Sequence, residues 1–181
     1  SAFYVAANNE YHSLPNDVLF NSNPSGGVRS WTMGAWVKPA STAATGSICQ
    51  KGSNTRRDWY ARMDAGGAPR LFIYSGDGNT TLKDLISANA LTAGVYSYVI
   101  WGLDVSGGAA ATKSFIKVGD NALEESAAFN AGTLGVNDQA LRVAGDAISG
   151  NEFDGDMDNV IRFNRLLTSA EMAELQTYNG G

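Results

Sequence analysis

The sequence predicts an all-β protein, a two-sheet antiparallel sandwich with one short C-terminal α-helix. Three observations carry this expectation. Apolar and polar residues alternate with period two in segment after segment, the pattern of strands with one face buried. The breaks between segments are rich in glycine, of which there are 21 in 181 residues, and in Asn, Ser and Thr, the residues of tight turns. Only one stretch, at the C-terminal end, combines helical spacing with a helix start signal.

Taken in order, "SWTMGAWVKP" sets Trp31, Met33, Ala35 and Val37 on one face and Thr32, Gly34, Trp36 and Lys38 on the other. Pro39 ends the run, because it has no N–H to give a ladder. "GSICQKG" and "DWYARMD" read as the next two strands, joined by the polar "KGSNTRRD". "RLFIYS" follows and is closed by "GDGN". "TLKDLISANAL" reads as strand and loop. "GVYSYVIWGLD" is an apolar strand ended by "SGG", and "SFIKVGD", "QALRVAGD" and "DNVIRFN" complete the set. In "TSAEMAELQTYNGG", Thr168 and Glu171 form a capping box, and Met172 and Leu175 share a helical face. No segment is left for a second domain, so residues 1–181 read as one unit.

Composition removes several classes. A net charge of −5 disfavours nonspecific nucleic-acid binding. No apolar run is long enough to span a membrane as a helix. "SAFYVAANNEY" lacks the basic leader and apolar core of a signal peptide. Cys49 and His12, one of each type, cannot build a zinc site or a disulfide framework, and Cys49 in "GSICQK" reads as a buried small hydrophobe. The charge is uneven: residues 1–90 hold 8 basic and 6 acidic side chains, residues 91–181 hold 5 and 12.

Several stretches in order resemble the laminin-G-like, concanavalin A-like lectin/glucanase jelly roll in its compact bacterial and viral form. "NNEYHSLPND" is similar to the opening strand, "WTMGAWVKP" to the strand that carries Trp36, and "SICQKG" to its successor. "YSYVIWGLDVSGG" resembles the family's aromatic strand and turn, with Tyr96 where a Trp is usual. "FDGDMDNVIRFNRLLTSAEMAEL" resembles the ending, with Phe153, Gly155, Asp158, Val160, Asn164, Arg165, Leu167 and Glu171 in register. "VIRF" departs from the family's "VRIY" and shifts which side chain near Arg162 faces inward. The resemblance implies a jelly-roll sandwich and admits a structural calcium on its rim.

The run from Asp154 through Asp156 to Asp158 is the main chemical candidate. In a strand these share one face at about 6.5–7 Å intervals, a spacing compatible with a glycosidase carboxylate pair. The run has no glutamate and carries a glycine inside it, and no EF-hand fits, because Asn159 and Arg165 fall where Gly and Glu are needed. A catalytic site is therefore not expected. Asp158 is read as a structural acceptor of backbone N–H groups near the helix or first strand, and Asp158 with Asp156 as the candidate metal ligands. Arg56, Arg57, Trp59 and Tyr60 are the candidate ligand or partner residues, since stacking rings and planar donors suit sugar or protein recognition. The same loop also admits Trp59 as core. Trp36 and Trp101 are read as core.

The function expected from this is a non-catalytic structural or adhesion module that works by protein–protein contact, on a virion as a capsid decoration or appendage subunit. Carbohydrate binding is the alternative, and glycoside hydrolysis comes third. Expected partners are other protein subunits, copies of the chain included, or a glycan. The expected location is extracellular or the virion surface.

Overall fold

The computed structural model describes residues 3–5, 12–14, 21–22, 27–53, 56–76, 78, 80–132, 134, 138–145 and 151–177. Two antiparallel sheets pack face to face. The strands are β1 (Phe3–Val5), β2 (His12–Leu14), β3 (Trp31–Pro39), β4 (Gly46–Gly52), β5 (Arg57–Met63), β6 (Pro69–Tyr74), β7 (Thr81–Ile86), β8 (Ser97–Asp104), β9 (Lys113–Val118), β10 (Glu124–Glu125), β11 (Leu141–Val143) and β12 (Gly155–Phe163), followed by the helix α1 (Ser169–Thr177). Sheet A has the order β1-β12-β3-β8-β9-β10, and sheet B the order β2-β11-β4-β5-β6-β7. The first strands pair with the last, β1 with β12 and β2 with β11, so the chain is rolled up from both ends as a jelly roll.

Alternation builds the core. Met33, Ala35 and Val37 of β3, Val99, Trp101 and Leu103 of β8, and Ile116 and Val118 of β9 point from sheet A toward Ile48, Trp59, Ala61, Met63, Leu71 and Ile73 of sheet B. Trp31 and Trp59 meet across the interior with ring centroids 5.1 Å apart. Cys49 lies within this core, and its burial raises the thiol far above its ordinary range. Trp101 is core, as the sequence indicates. The short strands β1 and β10 were not anticipated. "TLKDLI" forms the edge strand β7, in keeping with its reading as strand.

The helix covers part of the outer face of sheet A. Leu167 and Met172 pack on Tyr98, Ile100 and Phe115, with Trp36, Phe163, Leu166 and Leu175 at the margin. The approach to the helix is pinned by Thr32, whose hydroxyl donates to Arg165 O at 3.0 Å and accepts from Leu167 N at 3.1 Å. The capping box forms as expected: Glu171 N donates to Thr168 Oγ1 at 3.3 Å, and Thr168 N donates to Glu171 Oε2 at 2.8 Å. Gly180, which the sequence offers as the helix stop after Leu175, lies outside the described residues, as do the side chain of His12 and residues Asp77 and Asn79.

One irregularity sets the geometry of the site. Along β12, Asp158 pairs with Trp36, but the next matched pair is Ile161 with Gly34, so Asn159 and Val160 oppose Ala35 together. This is a β-bulge, and Asn159 takes the left-handed conformation at φ 48°. Asn tolerates that region because its short side chain adds little steric cost. The bulge reverses the alternation. Asp156 and Asp158 face outward before it, while Val160 and Arg162 turn toward the interior after it.

Candidate functional site

Helix α1 leaves the other part of sheet A's outer face open. There Trp36 of β3, Tyr96 just before β8, and Asp158 and Asn159 at the bulge of β12 enclose a shallow pocket of about 190 Å³. Tyr96 is 46% exposed, so part of its ring remains available to a ligand although Lys38 lies over it. Trp36 is half-buried and stands edge-on to Tyr98, with centroids 5.3 Å apart and an interplanar angle of 62°. Tyr98 beneath it is buried, which pushes its hydroxyl up to about 12. The indole of Trp36 is therefore braced by Tyr98 where it lines the pocket. Asp158 Oδ1 accepts the Asn159 N–H at 2.7 Å. Beside the pocket, Lys38 pairs with Asp156 and lies 4.9 Å over the Tyr96 ring. The Tyr96 hydroxyl is held above its ordinary range, by desolvation first and then by the charge of Asp156.

Gly155, the glycine inside the acidic run, has a structural cause. Its φ is 150°, and a Cβ there would lie 2.2 Å from Lys38 O. The strand β12 could not approach β3 with a side chain at this point.

The predicted residues are dispersed. Trp59 is fully buried, because the alternation of β5 points Trp59 and Ala61 inward and Tyr60 and Arg62 outward. It cannot touch a ligand, and the reading of Trp59 as a rim residue is corrected. Arg56 is exposed and pairs with Asp138 at 3.3 Å. Arg57 and Tyr60 lie on the outer face of sheet B, in a ladder where Tyr60 stacks on Phe72 and Phe72 on Tyr74, at 6.0 and 6.1 Å. Guanidinium groups already cover these rings: Arg57 lies 5.5 Å from the Tyr74 centroid, Arg62 4.9 Å and Arg70 4.6 Å from that of Phe72. Arg62 and Arg70 are in turn held by Asp64 and Asp84. Tyr60 and Tyr74 are buried under this layer. The ladder stabilises a sheet face and presents no bare ring of these two tyrosines.

At Asp156 and Asp158, the candidate metal ligands, the side chains have other partners. Lys38 occupies Asp156, and among the described residues no group of three or more His, Cys, Asp or Glu is placed to hold a metal. Asp158 accepts from the amide of its own neighbour, and among the described residues not from amides of the helix or first strand. Asp154 is an exposed residue ahead of β12, whose carbonyl accepts the Ala40 N–H at 2.8 Å.

The sequence reading placed Trp36 in the core and gave Asn159 no role. The signal for Trp36 was present: it falls on the polar face of β3, with Thr32 and Lys38. The sequence profile of the concanavalin A-like lectin/glucanases superfamily matches residues 7–173. The chain belongs to this superfamily. In structure, the superfamily's jelly roll here is similar to a heptameric SAP-like pentraxin from Limulus polyphemus (TM-score 0.61, 15% identity, covering 84% of this chain and 71% of that one). It is also similar to the CBM40 of an IT-sialidase from Ruminococcus gnavus, in a structure with bound α2,3-sialyllactose (TM-score 0.59, 16% identity, covering 82% and 83%). A second structure of that CBM40 gives a TM-score of 0.57 at 18% identity. No curated protein matches the chain in sequence. At these identities the structural likeness establishes the fold alone.

Proposed function

We propose that the chain is a non-catalytic carbohydrate-binding module that holds a glycan in the pocket of Trp36, Tyr96, Asp158 and Asn159. The observation that carries this is an exposed ring and a braced indole beside a carboxylate and an amide, in one concavity. Apolar faces of a sugar ring pack on aromatic rings, and its hydroxyls need a few convergent acceptors and donors. The CBM40 relative, solved with a bound sugar, supports the superfamily's jelly roll as a scaffold for this task. The absence of catalysis is argued from charge. Glycoside hydrolysis uses two carboxyl groups in distinct roles. Here Asp156 is engaged by Lys38, which leaves Asp158 as the carboxylate lining the pocket. Such a module acts where glycans are displayed, outside the cell or on a virion surface.

A glycan array followed by calorimetry tests the proposal. Binding is expected, and Trp36→Ala and Tyr96→Ala should each weaken it at least about tenfold, equivalent to ~1.4 kcal/mol. Arg57→Ala should leave it unchanged. A blank array, or variants that bind like the parent, would refute it.

A second reading, self-assembly or adhesion by protein contact, capsid decoration included, draws support from the charge difference between residues 1–90 and 91–181. It predicts an oligomer that dissociates as salt is raised, measurable by light scattering. A monomer at low salt would remove it.

A further inference from the structure

Resting on the glycan-binding reading, we infer that the pocket selects an amino sugar, a pyranose with a protonated amine, and rejects acidic sugars. The argument begins with the local charge. Lys38 and Asp156 offset each other, and Asp158 adds one negative charge at the pocket wall. Among the described residues no cationic side chain is paired with Asp158. Its Oδ1 accepts the Asn159 N–H, and its other oxygen remains as an acceptor. Two aromatic residues share the same concavity, and aromatic faces attract ammonium groups through the ring quadrupole.

The chain carries an internal counterpart of this complex. Across β12 and β3, Asp156 opposes Lys38 and Asp158 opposes Trp36. At the first pair, the lysine ammonium lies between a carboxylate and an aromatic ring, 4.9 Å from the Tyr96 centroid. At the second pair, the carboxylate and the rings recur with an indole in place of the lysine. A ligand ammonium there would meet the partners that Lys38 meets two residues along. The pocket, about 190 Å³, is smaller than the ~300–1,000 Å³ typical of larger ligands, which suits a single ring. A sugar carboxylate in the same place would face Asp158, and like charges at short range repel. The α2,3-sialyllactose bound by the CBM40 relative is thus expected to be excluded.

The test is calorimetry on the whole chain with three probes: a fully deacetylated glucosamine tetramer, the N-acetylated tetramer, and α2,3-sialyllactose. Tetralysine serves as the control for nonspecific attraction to an acidic protein. The glucosamine tetramer should bind about tenfold more tightly than the acetylated one, the scale of a desolvated ammonium–aromatic contact. Sialyllactose and tetralysine should not bind. Asp158→Asn should bring the two tetramers within about twofold while its melting temperature stays that of the parent. Equal or stronger binding of the acetylated tetramer, binding of sialyllactose or tetralysine, or selectivity that survives Asp158→Asn would each overturn the amino-sugar inference and leave glycan binding standing. A chain that binds no sugar on the array would overturn both.

Discussion

Asp58 is a carboxylate in the wrong solvent, and its cost should be measurable. It is 2% exposed, its Oδ2 accepts the Ser22 N–H at 2.6 Å, and its Oδ1 has no hydrogen-bond partner among the described residues. Burial pushes its pKa up from 3.8 to about 6, against the opposing pull of the Ser22 hydrogen bonds and the charge of Arg162. Arg162 suffers the same penalty: burial lowers it to about 10, although Asp58 pulls the other way. For Asp58 the native state holds its proton where the unfolded chain has lost it. Its contribution to stability is therefore full below about pH 4 and is lost as pH rises through about 6. A shift of about two units corresponds to ~3 kcal/mol. The perturbation is Asp58→Asn, which cannot ionise and keeps an oxygen for the Ser22 N–H. Urea unfolding of both proteins between about pH 4 and 7 gives the difference in stability at each pH, free of the other carboxylates they share. The Asn variant should gain on the parent by about 3 kcal/mol across that range. A difference that stays flat would mean that Asp58 titrates as it does in water, and the reasoning from its burial would fail.

Three further outcomes follow from the geometry. Gly102→Ala places a Cβ 2.2 Å from Trp31 O and 2.5 Å from the Phe115 ring, so it should destabilise the fold by about 1–3 kcal/mol or more; an unchanged urea midpoint would contradict the close approach of β8 to its neighbours β3 and β9. Thr168→Ala removes the N-cap of α1 and should cost about 1 kcal/mol without altering sugar binding. The same cap has a pH signature. Glu171 is held down at about 2 by Arg165 first and then by the Thr168 N–H, so its contribution is present above its unfolded pKa of 4.5 and fades as pH falls toward 2. A melting profile of Glu171→Gln with an undiminished acid limb would argue against that pairing.

The fold was legible because its information is local. The inward set of β3 and the capping box of α1 can each be read from a few neighbours, and both appear as expected. The site was less legible because it depends on which face meets which. Trp36 and Trp59 look alike as isolated aromatics in strands: the sequence reads Trp36 as core and leaves Trp59 between rim and core, whereas Trp59 is core and Trp36 lines the pocket. The phase of each strand was the missing step, and for β3 the polar neighbours Thr32 and Lys38 already supplied it. Other features could not be read at all. That guanidinium groups lie over Tyr60, Phe72 and Tyr74 depends on the register of β5, β6 and β7. That Lys38 neutralises Asp156 depends on the pairing of β3 with β12, strands far apart in the chain.

The bulge at Asn159 joins these separate problems. Without it, strict alternation from Asp156 and Asp158 would send Arg162 outward as well, onto the face that Trp36 lines. A guanidinium there would compete for Asp158 and supply the cation for which the pocket's carboxylate and aromatic walls are suited. With one extra residue in β12, Arg162 instead turns inward, 4.9 Å from the Trp31 ring and 5.9 Å from that of Trp59, where its charge partly offsets that of Asp58. The departure "VIRF" thus has a physical meaning: Ile161 stands outward and Arg162 inward because the count of residues changes just before them. A single left-handed asparagine keeps the pocket's net charge negative and gives the buried aspartate its counter-charge. The acidic run, whose spacing alone is that of a carboxylate pair, is divided by the fold between an ion pair at Asp156 and a pocket-lining carboxylate at Asp158.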